Sequence, residues 1–401
     1  YWSEGSADLK KVAEELQIPV SSRRTGRGAV AEDHPLVFSG GYRGALLGDA
    51  DVICIVGLRA TYLEEWFEPP DWGRKAKYIQ IQERPDEIWY ALPTEVAIVG
   101  SCGPVLRQMI DCTRGLIKAR PHREAWLDML NQARERFRKR QGELVKRYNK
   151  TKPIHPHFLC ATIADFLDPS ATVIYDSFTG TAYLTDKLEA RFAGQILDGG
   201  LHQALGQGIG MCFGAGVARP GKQVLTLMGD GGFGISCMDM ETLLRYKIPA
   251  VIVLLNNSSW GGASIGHDLF YREMDSWDNL PNIRYDRMLH ELGCYTEHVE
   301  EPEEIRPALE RAFNSGVASV INVISEATDI HPLRLRVSFG DTWARRNLNE
   351  LPQEALALLR CGSSANVLRR VQKFWIDNGV FIPLDDLASM AGVTPKELAD
   401  S

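Results

Sequence analysis

The sequence predicts an α/β protein, built as two doubly wound parallel-sheet domains plus a C-terminal helical extension. Three observations predict it. Over residues 1–117, short apolar runs alternate with helical stretches, the pattern of a parallel sheet buried on both faces. Residues 224–255 spell one complete β-α-β unit. The stretch Leu384–Leu398 has the rhythm of two short helices joined by a turn.

The first domain spans 1–117. Asp8 to Leu16 is a helix and Ile18-Pro-Val20 a short strand. Asp51-Val-Ile-Cys-Ile-Val-Gly57 is a buried strand, and Lys77-Tyr-Ile-Gln-Ile81 and Val96-Ala-Ile-Val99 are two more. Residues 118–150 form a linker helix. Trp126, Leu127, Leu130 and Ala133 make its apolar stripe, and Arg134-Glu-Arg-Phe-Arg-Lys-Arg140 reads as a solvated face.

The second sheet domain covers 151–330. His155 and His157 lack metal-ligand spacing and read as loop residues. Val173-Ile-Tyr-Asp176 is a strand, with Ser177-Phe-Thr-Gly-Thr181 as its exit loop. Gly206, Gly210 and Gly214 recur every four residues, so one helix face is bare. That face suits close packing against a partner subunit or a cofactor. Strand Val224-Leu-Thr-Leu-Met228 runs into the turn Gly229-Asp-Gly-Gly-Phe-Gly234, followed by a helix over Ile235 to Lys247. Strand Ala250-Val-Ile-Val-Leu-Leu255 then ends in Asn256-Asn257. Residues 331–401 are the helical extension.

Composition bounds the function. The 401 residues suffice for two or three domains. A 44% hydrophobic and 24% charged content belongs to soluble globular proteins. A net charge of −7 with no long basic run disfavours nucleic-acid binding. No apolar stretch reaches membrane-spanning length. Eight scattered cysteines without a C-x-x-C pair read as reduced core residues of a cytoplasmic protein.

The turn at 229–234 carries the chemistry. A β-α-β crossover makes its two strands parallel, and as neighbours their carboxyl ends lie roughly 5 Å apart. Asp230 and Asn257 then face one crevice at the sheet's carboxyl edge, where ligands bind in open α/β folds. Gly229-x-Gly231-x-x-Gly234 also satisfies the dinucleotide fingerprint. Two features count against that reading. Asp230 inside a phosphate loop repels a pyrophosphate unless a cation intervenes. The second strand ends in neutral amides where a dinucleotide site wants an acid. An acid, an amide oxygen and phosphate oxygens instead suit octahedral Mg²⁺.

These residues resemble a known family. Gly229-Asp230-Gly231, 24 intervening residues and then Asn256-Asn257 is similar to the thiamine diphosphate motif. Leu205 to Pro220 resembles the small-residue helix before that motif. Thr25-Gly-Arg-Gly-Ala-Val-Ala-Glu-Asp-His-Pro35 and Ile79-Gln-Ile-Gln-Glu-Arg-Pro-Asp-Glu-Ile88 resemble stretches of the family's central domain. The branch resembled holds acetolactate synthase, benzaldehyde lyase, oxalyl-CoA decarboxylase and 2-hydroxyacyl-CoA lyase.

The resemblance implies residue roles. Asp230, Asn257 and the Ser259 carbonyl would hold Mg²⁺. Gly229, Gly231, Gly232 and Asn257 would bind the cofactor's diphosphate. Leu205 would be the apolar wedge that bends the cofactor. Trp260 would line the substrate pocket, and His267, with Asp268 and Tyr271 nearby, would serve proton transfer. Arg59 and Gln82-Glu-Arg84 would meet FAD or ADP if the central domain holds either. Arg334, Arg336, Arg345, Arg346, Arg369 and Arg370 would meet CoA phosphates if 331–401 closes as a lid.

It also implies an activity and its partners. Thiamine diphosphate and Mg²⁺ would serve a C–C lyase or carboligase acting on a 2-hydroxyacyl-CoA or 2-hydroxy ketone. The alternatives are acetolactate synthase-like 2-oxo acid decarboxylation and transfer, a non-catalytic cofactor-binding subunit, or a dinucleotide oxidoreductase. The family's pyrimidine-binding domain, with its catalytic glutamate, is not in this sequence. A truncated chain or a separate polypeptide accounts for that. The expected assembly is a homo- or hetero-oligomer, a dimer or tetramer, with neither nucleic acid nor membrane as partner.

Overall fold

The computed structural model describes residues 5–67, 72–73, 75–116, 123–176, 178–200, 204–261 and 280–326. Two parallel sheets organise them. The first has strands β1 (Val52–Val56), β2 (Lys77–Gln82) and β3 (Thr94–Val99), in that order. Helices α1 (Ser6–Leu16) and α3 (Cys102–Leu116) close one face, packing Val12, Leu106 and Ile110 around Ile81 of β2. Ile53, Ile55 and Tyr78 pack with Phe67 and Trp72 in a second cluster. The Ile18–Val20 strand shrinks to a single bridge between Val20 and Val37, because the next amide facing that partner, Ile18 N–H, is spent on the Ala13 carbonyl at the end of α1.

Among the described residues strand β1 is an edge. Gly57 N–H reaches the Ile81 carbonyl and Lys77 N–H the Asp51 carbonyl. Alternation along the strand therefore turns the amides of Val52, Cys54 and Val56 away from β2. Val52 and Cys54 are exposed there, as are Val96 and Val99 on β3.

The second sheet has six strands in the order β5-β4-β6-β7-β9-β8. These are β4 (Thr172–Asp176), β5 (Ile196–Asp198), β6 (Val224–Gly229), β7 (Val251–Asn256), β8 (Tyr295–Val299) and β9 (Ser319–Ile324). Burial on both faces explains the unbroken apolar runs. Val173, Leu225, Leu227, Val253 and Ile321 point to one core. Their neighbours Ile174, Val224, Met228, Ile252 and Val320 point to the other. Helices α5 (Pro156–Phe166) and α11 (Ile305–Asn314) contribute to the first core. Helices α7 (Gly208–Ala218), α9 (Met240–Arg245) and α10 (Tyr285–Leu292) contribute to the second.

The stretch that resembles the central-domain motif is a dock between the two sheets. Arg27 forks onto Glu32, with Nε to Oε1 at 2.8 Å and Nη2 to Oε2 at 2.6 Å, both side chains buried. Arg27 also donates to the Tyr175 hydroxyl of β4 at 3.3 Å and to the Leu188 carbonyl. Burial alone would lower the Arg27 pKa; the Glu32 charge outweighs it and raises it. Glu32 Oε2 accepts the Ala190 amide at 2.8 Å. Gly28 has φ of +79°, and a Cβ there would lie 2.2 Å from the Phe192 carbonyl oxygen, so only glycine fits.

Several further expectations need correction. The exit loop expected at 177–181 is helical from Phe178 onward, in α6 (Phe178–Thr185). The linker helix α4 (Glu124–Tyr148) does not leave all its basic residues to solvent: Arg134 lies 5.0 Å over the Phe38 ring. His157 lies in the first turn of α5 and not in a loop, whereas His155, just before the helix, caps it by accepting the His157 amide at 3.1 Å; both buried rings stack with Tyr148 and meet Tyr183 edge-on. The single helix expected over 235–247 is two, α8 (Asp230–Ser236) and α9, separated by a 3₁₀ turn at Cys237–Asp239. The first starts inside the glycine turn because Gly229 is extended and Asp230 already helical. Finally, Gly206 is not on the helix but in the turn before it, with φ of +83°, while Gly210 and Gly214 meet nothing within 4 Å among the described residues and so remain bare toward a partner or cofactor. The close packing falls on Gly208, against Asp176 and Thr226, and Gly216, against Ile248.

Candidate functional site

Three chain segments meet at the carboxyl edge of the six-stranded sheet. The first is the β6–α8 turn. In the β6–β7 register Gly229 pairs with Leu255, so both strands end at one level. Asp230 follows at once and is 2% exposed. Its Oδ1 has no hydrogen-bond partner among the described residues. Burial pushes the carboxyl up to about 6, while the backbone amides of Gly231, Asp230 itself, Ser259 and Ser258 pull it back down. The carboxylate therefore sits between its own turn and the loop after β7.

That loop is the second segment. Asn256 is fully buried and its amide is committed inward. Nδ2 donates to Asn322 Oδ1 at 3.0 Å and to the Ile283 carbonyl at 3.4 Å; Oδ1 accepts the Ser258 amide at 3.2 Å. Ser258 takes a left-handed φ of +51°, unusual for a residue with a side chain. Its carbonyl accepts the Leu280 amide at 2.8 Å. Asn257 is half-buried and Ser259 buried. Trp260 packs directly on the glycine turn: a Cβ on Gly231 would lie 2.9 Å from its ring.

The third segment carries Leu205. Asp176, at the end of β4, accepts the Gly206 amide at 3.0 Å and the Gly208 amide at 2.6 Å. Burial raises the Asp176 pKa, and those two amides oppose the shift. Leu205 lies in the turn before α7, outside the helix, and is 40% exposed. A Cβ at Gly206 would touch Ile235 at 3.0 Å, and one at Gly232 would face Asp176 Oδ1 at 3.4 Å. Leu205 is thus no core residue. It flanks the crevice with the exposed Ile235 and Met238 of the α8 region.

The structure brings Leu205, Gly229, Asp230, Gly231, Gly232, Ser259 and Trp260 to this edge, with Asn257 directly after β7. His267, Asp268, Tyr271 and the arginines at 334, 336, 345, 346, 369 and 370 lie outside the described residues. Sequence reasoning missed Asp176 as the anchor of the Leu205 turn, and Tyr285, Asp286 and Asn322 behind the Asn256 loop.

The donor set fits a hard cation shared with a phosphate ligand. An orphaned buried carboxylate oxygen is costly without a positive partner. Among the described residues no group of three or more His, Cys, Asp or Glu gathers elsewhere or here. One carboxylate with amide and carbonyl oxygens leaves coordination positions for phosphate oxygens and water, the usual habit of Mg²⁺. In the first sheet domain, the side chains expected to meet a nucleotide have protein partners. Arg59 pairs with Glu87, Gln82 donates to the Leu58 carbonyl at 2.6 Å, and Arg84 forks onto Asp86.

Residues 180–323 match the thiamine pyrophosphate enzyme C-terminal TPP binding domain, and residues 1–109 match the thiamine pyrophosphate enzyme central domain. The chain belongs to the thiamine pyrophosphate enzyme family. It is 31% identical over 335 residues to a probable acetolactate synthase of Mycobacterium bovis, covering 83% of this chain and 59% of that protein. It is 29% identical over 340 residues to a 2-hydroxyacyl-CoA lyase of Oryza sativa, covering 80% and 57%. It is 27% identical over 331 residues to the oxalyl-CoA decarboxylase of Escherichia coli, covering 80% and 56%. The chain spans a little over half the length of these relatives. Among the described residues no helix is long and apolar enough to cross a membrane.

Proposed function

We propose that this chain supplies the diphosphate- and Mg²⁺-holding half of a thiamine diphosphate-dependent C–C lyase or carboligase. The observation that carries this is Asp230, a buried carboxylate with an orphaned oxygen beside the Ser258–Ser259 loop. Asp230, Asn257 and the Ser259 carbonyl would hold the cation. Gly229, Gly231 and Gly232 would let the backbone approach the diphosphate. Leu205, held by Asp176 through Gly206, would press on the cofactor from the apolar side, and Trp260 would wall the substrate pocket. When bound, thiamine diphosphate supplies the nucleophilic carbon and the electron sink for making or breaking a C–C bond next to a carbonyl.

The substrate class we favour is a 2-hydroxyacyl-CoA or 2-hydroxy ketone. A second reading, acetolactate synthase-like 2-oxo acid decarboxylation and transfer, is favoured by the 31% identical relative of that name. A pyrimidine-binding domain, from a longer form of this chain or another subunit of a dimer or tetramer, would cover the crevice. The exposure of Leu205, Ile235 and Met238, at 40%, 60% and 63%, supports such a cover. An FAD or ADP in the first domain has weaker support, since Arg59 and Arg84 already carry acidic partners. The seven free cysteines among the described residues support a cytoplasmic location.

Calorimetry of the chain with thiamine diphosphate, with and without EDTA, tests the reading. Binding should require the divalent ion, and Asp230→Ala should abolish it. Unchanged affinity in that variant, or NAD binding that survives EDTA, would overturn it.

A further inference from the structure

The first turn of α10 reaches both arms of the candidate site from behind, one directly and one through a relay. On one side, the Tyr285 ring meets Phe233 edge-on, with centroids 5.3 Å apart. Its hydroxyl makes a long hydrogen bond, 3.5 Å, to the Asp230 carbonyl. A Cβ on Gly234 would lie 3.2 Å from that hydroxyl, so the contact is close-fitting. On the other side, Asp286 begins a buried relay. Asp286 Oδ1 accepts Asn322 Nδ2 at 3.0 Å, Asn322 Oδ1 accepts Asn256 Nδ2 at 3.0 Å, and Asn256 Oδ1 accepts the Ser258 amide at 3.2 Å. Arg284 forks onto the same carboxylate at 2.6 to 3.2 Å, and His298 lies 3.5 Å from it. Asn256 and Asn322 are fully buried, so each bond missing from this chain leaves a polar group without water to replace it.

We propose that Tyr285 and Asp286 form one positioning clasp for the site: Tyr285 fixes the Asp230 turn, and Asp286, through Asn322 and Asn256, fixes the left-handed Ser258 and so the loop bearing Asn257 and Ser259. The inference rests on the diphosphate–Mg²⁺ reading of the site. Neither residue need touch the ligand. Their role is the distance between two arms that close on a single cation from adjacent strands. A ligand set held before binding loses less freedom on binding, which is where such a clasp acts.

The experiment measures thiamine diphosphate affinity at saturating Mg²⁺, Mn²⁺ affinity with inorganic pyrophosphate as partner, and thermal midpoint, for Tyr285→Phe, Asp286→Ala and Asp286→Asn. Asp286→Ala should weaken both affinities tenfold or more, and Tyr285→Phe about threefold. Asp286→Asn still offers Asn322 an acceptor and should restore affinity to within threefold of the parent while keeping a lowered midpoint. A purely structural role would lower midpoints and leave affinities unchanged, and that result overturns the proposal. If Asp286→Ala does not fold, unchanged affinity in Tyr285→Phe is sufficient to overturn it. Asp230→Ala separates the two levels. If it still binds, the site reading fails and the clasp with it. If it does not bind while Tyr285→Phe and Asp286→Ala bind normally, only the clasp fails.

Discussion

Arg27 and Glu32 face each other as a two-pronged ion pair, 2.6 and 2.8 Å across, with both side chains almost without solvent contact. Glu32 also holds the Ala190 amide, so the pair stitches the segment after α1 to the sheet that bears the site. Removing one partner leaves a buried charge uncompensated. Arg27→Ala should therefore cost about 3–5 kcal/mol of stability. Urea unfolding of the chain measures this, and a loss below about 1 kcal/mol would contradict the dock.

Two glycines two residues apart on α7 should respond in opposite directions. Gly208→Ala places a methyl 2.8 Å from Asp176 Cβ and from Thr226 Cγ2. Overpacking of that kind costs about 1–3 kcal/mol and would loosen the turn that presents Leu205. Gly210→Ala meets nothing within 4 Å. It should add about 1 kcal/mol, the helix preference of alanine over glycine. Thermal unfolding of the two variants side by side checks both signs.

Acid should act through Asp286. Burial pushes its carboxyl up, but bonds from Arg284 and Asn322 and the charges of Arg284 and His298 more than reverse this, to about 2. A carboxyl whose folded pKa is depressed contributes stability above its unfolded value, and that contribution is lost as pH falls through about 4 toward about 2. Parent and Asp286→Asn should thus differ in urea midpoint at pH 6 and converge toward pH 2. Parallel curves down to pH 2 would show that the pair is not charged as described.

Chelation should matter for the ligand more than for the fold. EDTA should leave the unfolding midpoint of the ligand-free chain unchanged, because its cores are apolar and contain no metal-ligand cluster among the described residues. With thiamine diphosphate and Mg²⁺ both at 100 times their dissociation constants, the midpoint should rise by the equivalent of about 2.7 kcal/mol, and EDTA should remove that gain.

The strands and the glycine turn were legible because their signals are contiguous. A strand buried on both faces is mostly apolar, so Leu225 to Met228, Thr226 apart, and Val251 to Leu255 stand out unaided. Asp230 betrayed itself by being an acid where a phosphate loop should have none. The support behind the site was illegible. Asn256, Asp286 and Asn322 come from a strand, a helix and another strand, and each alone is an ordinary polar residue. Their pairing exists only after the sheet order places β7 beside β9. His155 and His157 misled for the same reason: their burial is decided by Tyr148 and Tyr183, which the local sequence does not announce. Gly206, Gly210 and Gly214 have the period of a bare face, but packing within the chain falls on Gly208, over β4 and β6, and on Gly216, against Ile248, a phase that period alone does not set.

The outward row of amides on β1 has a practical consequence. Val52, Cys54 and Val56 offer hydrogen bonds to whatever extended chain arrives, and the most abundant extended edge in a purified sample is another copy of the same strand. Self-association through this edge would grow with protein concentration. Concentration therefore becomes a variable in every affinity measured on this chain, and a dilution series belongs beside each titration.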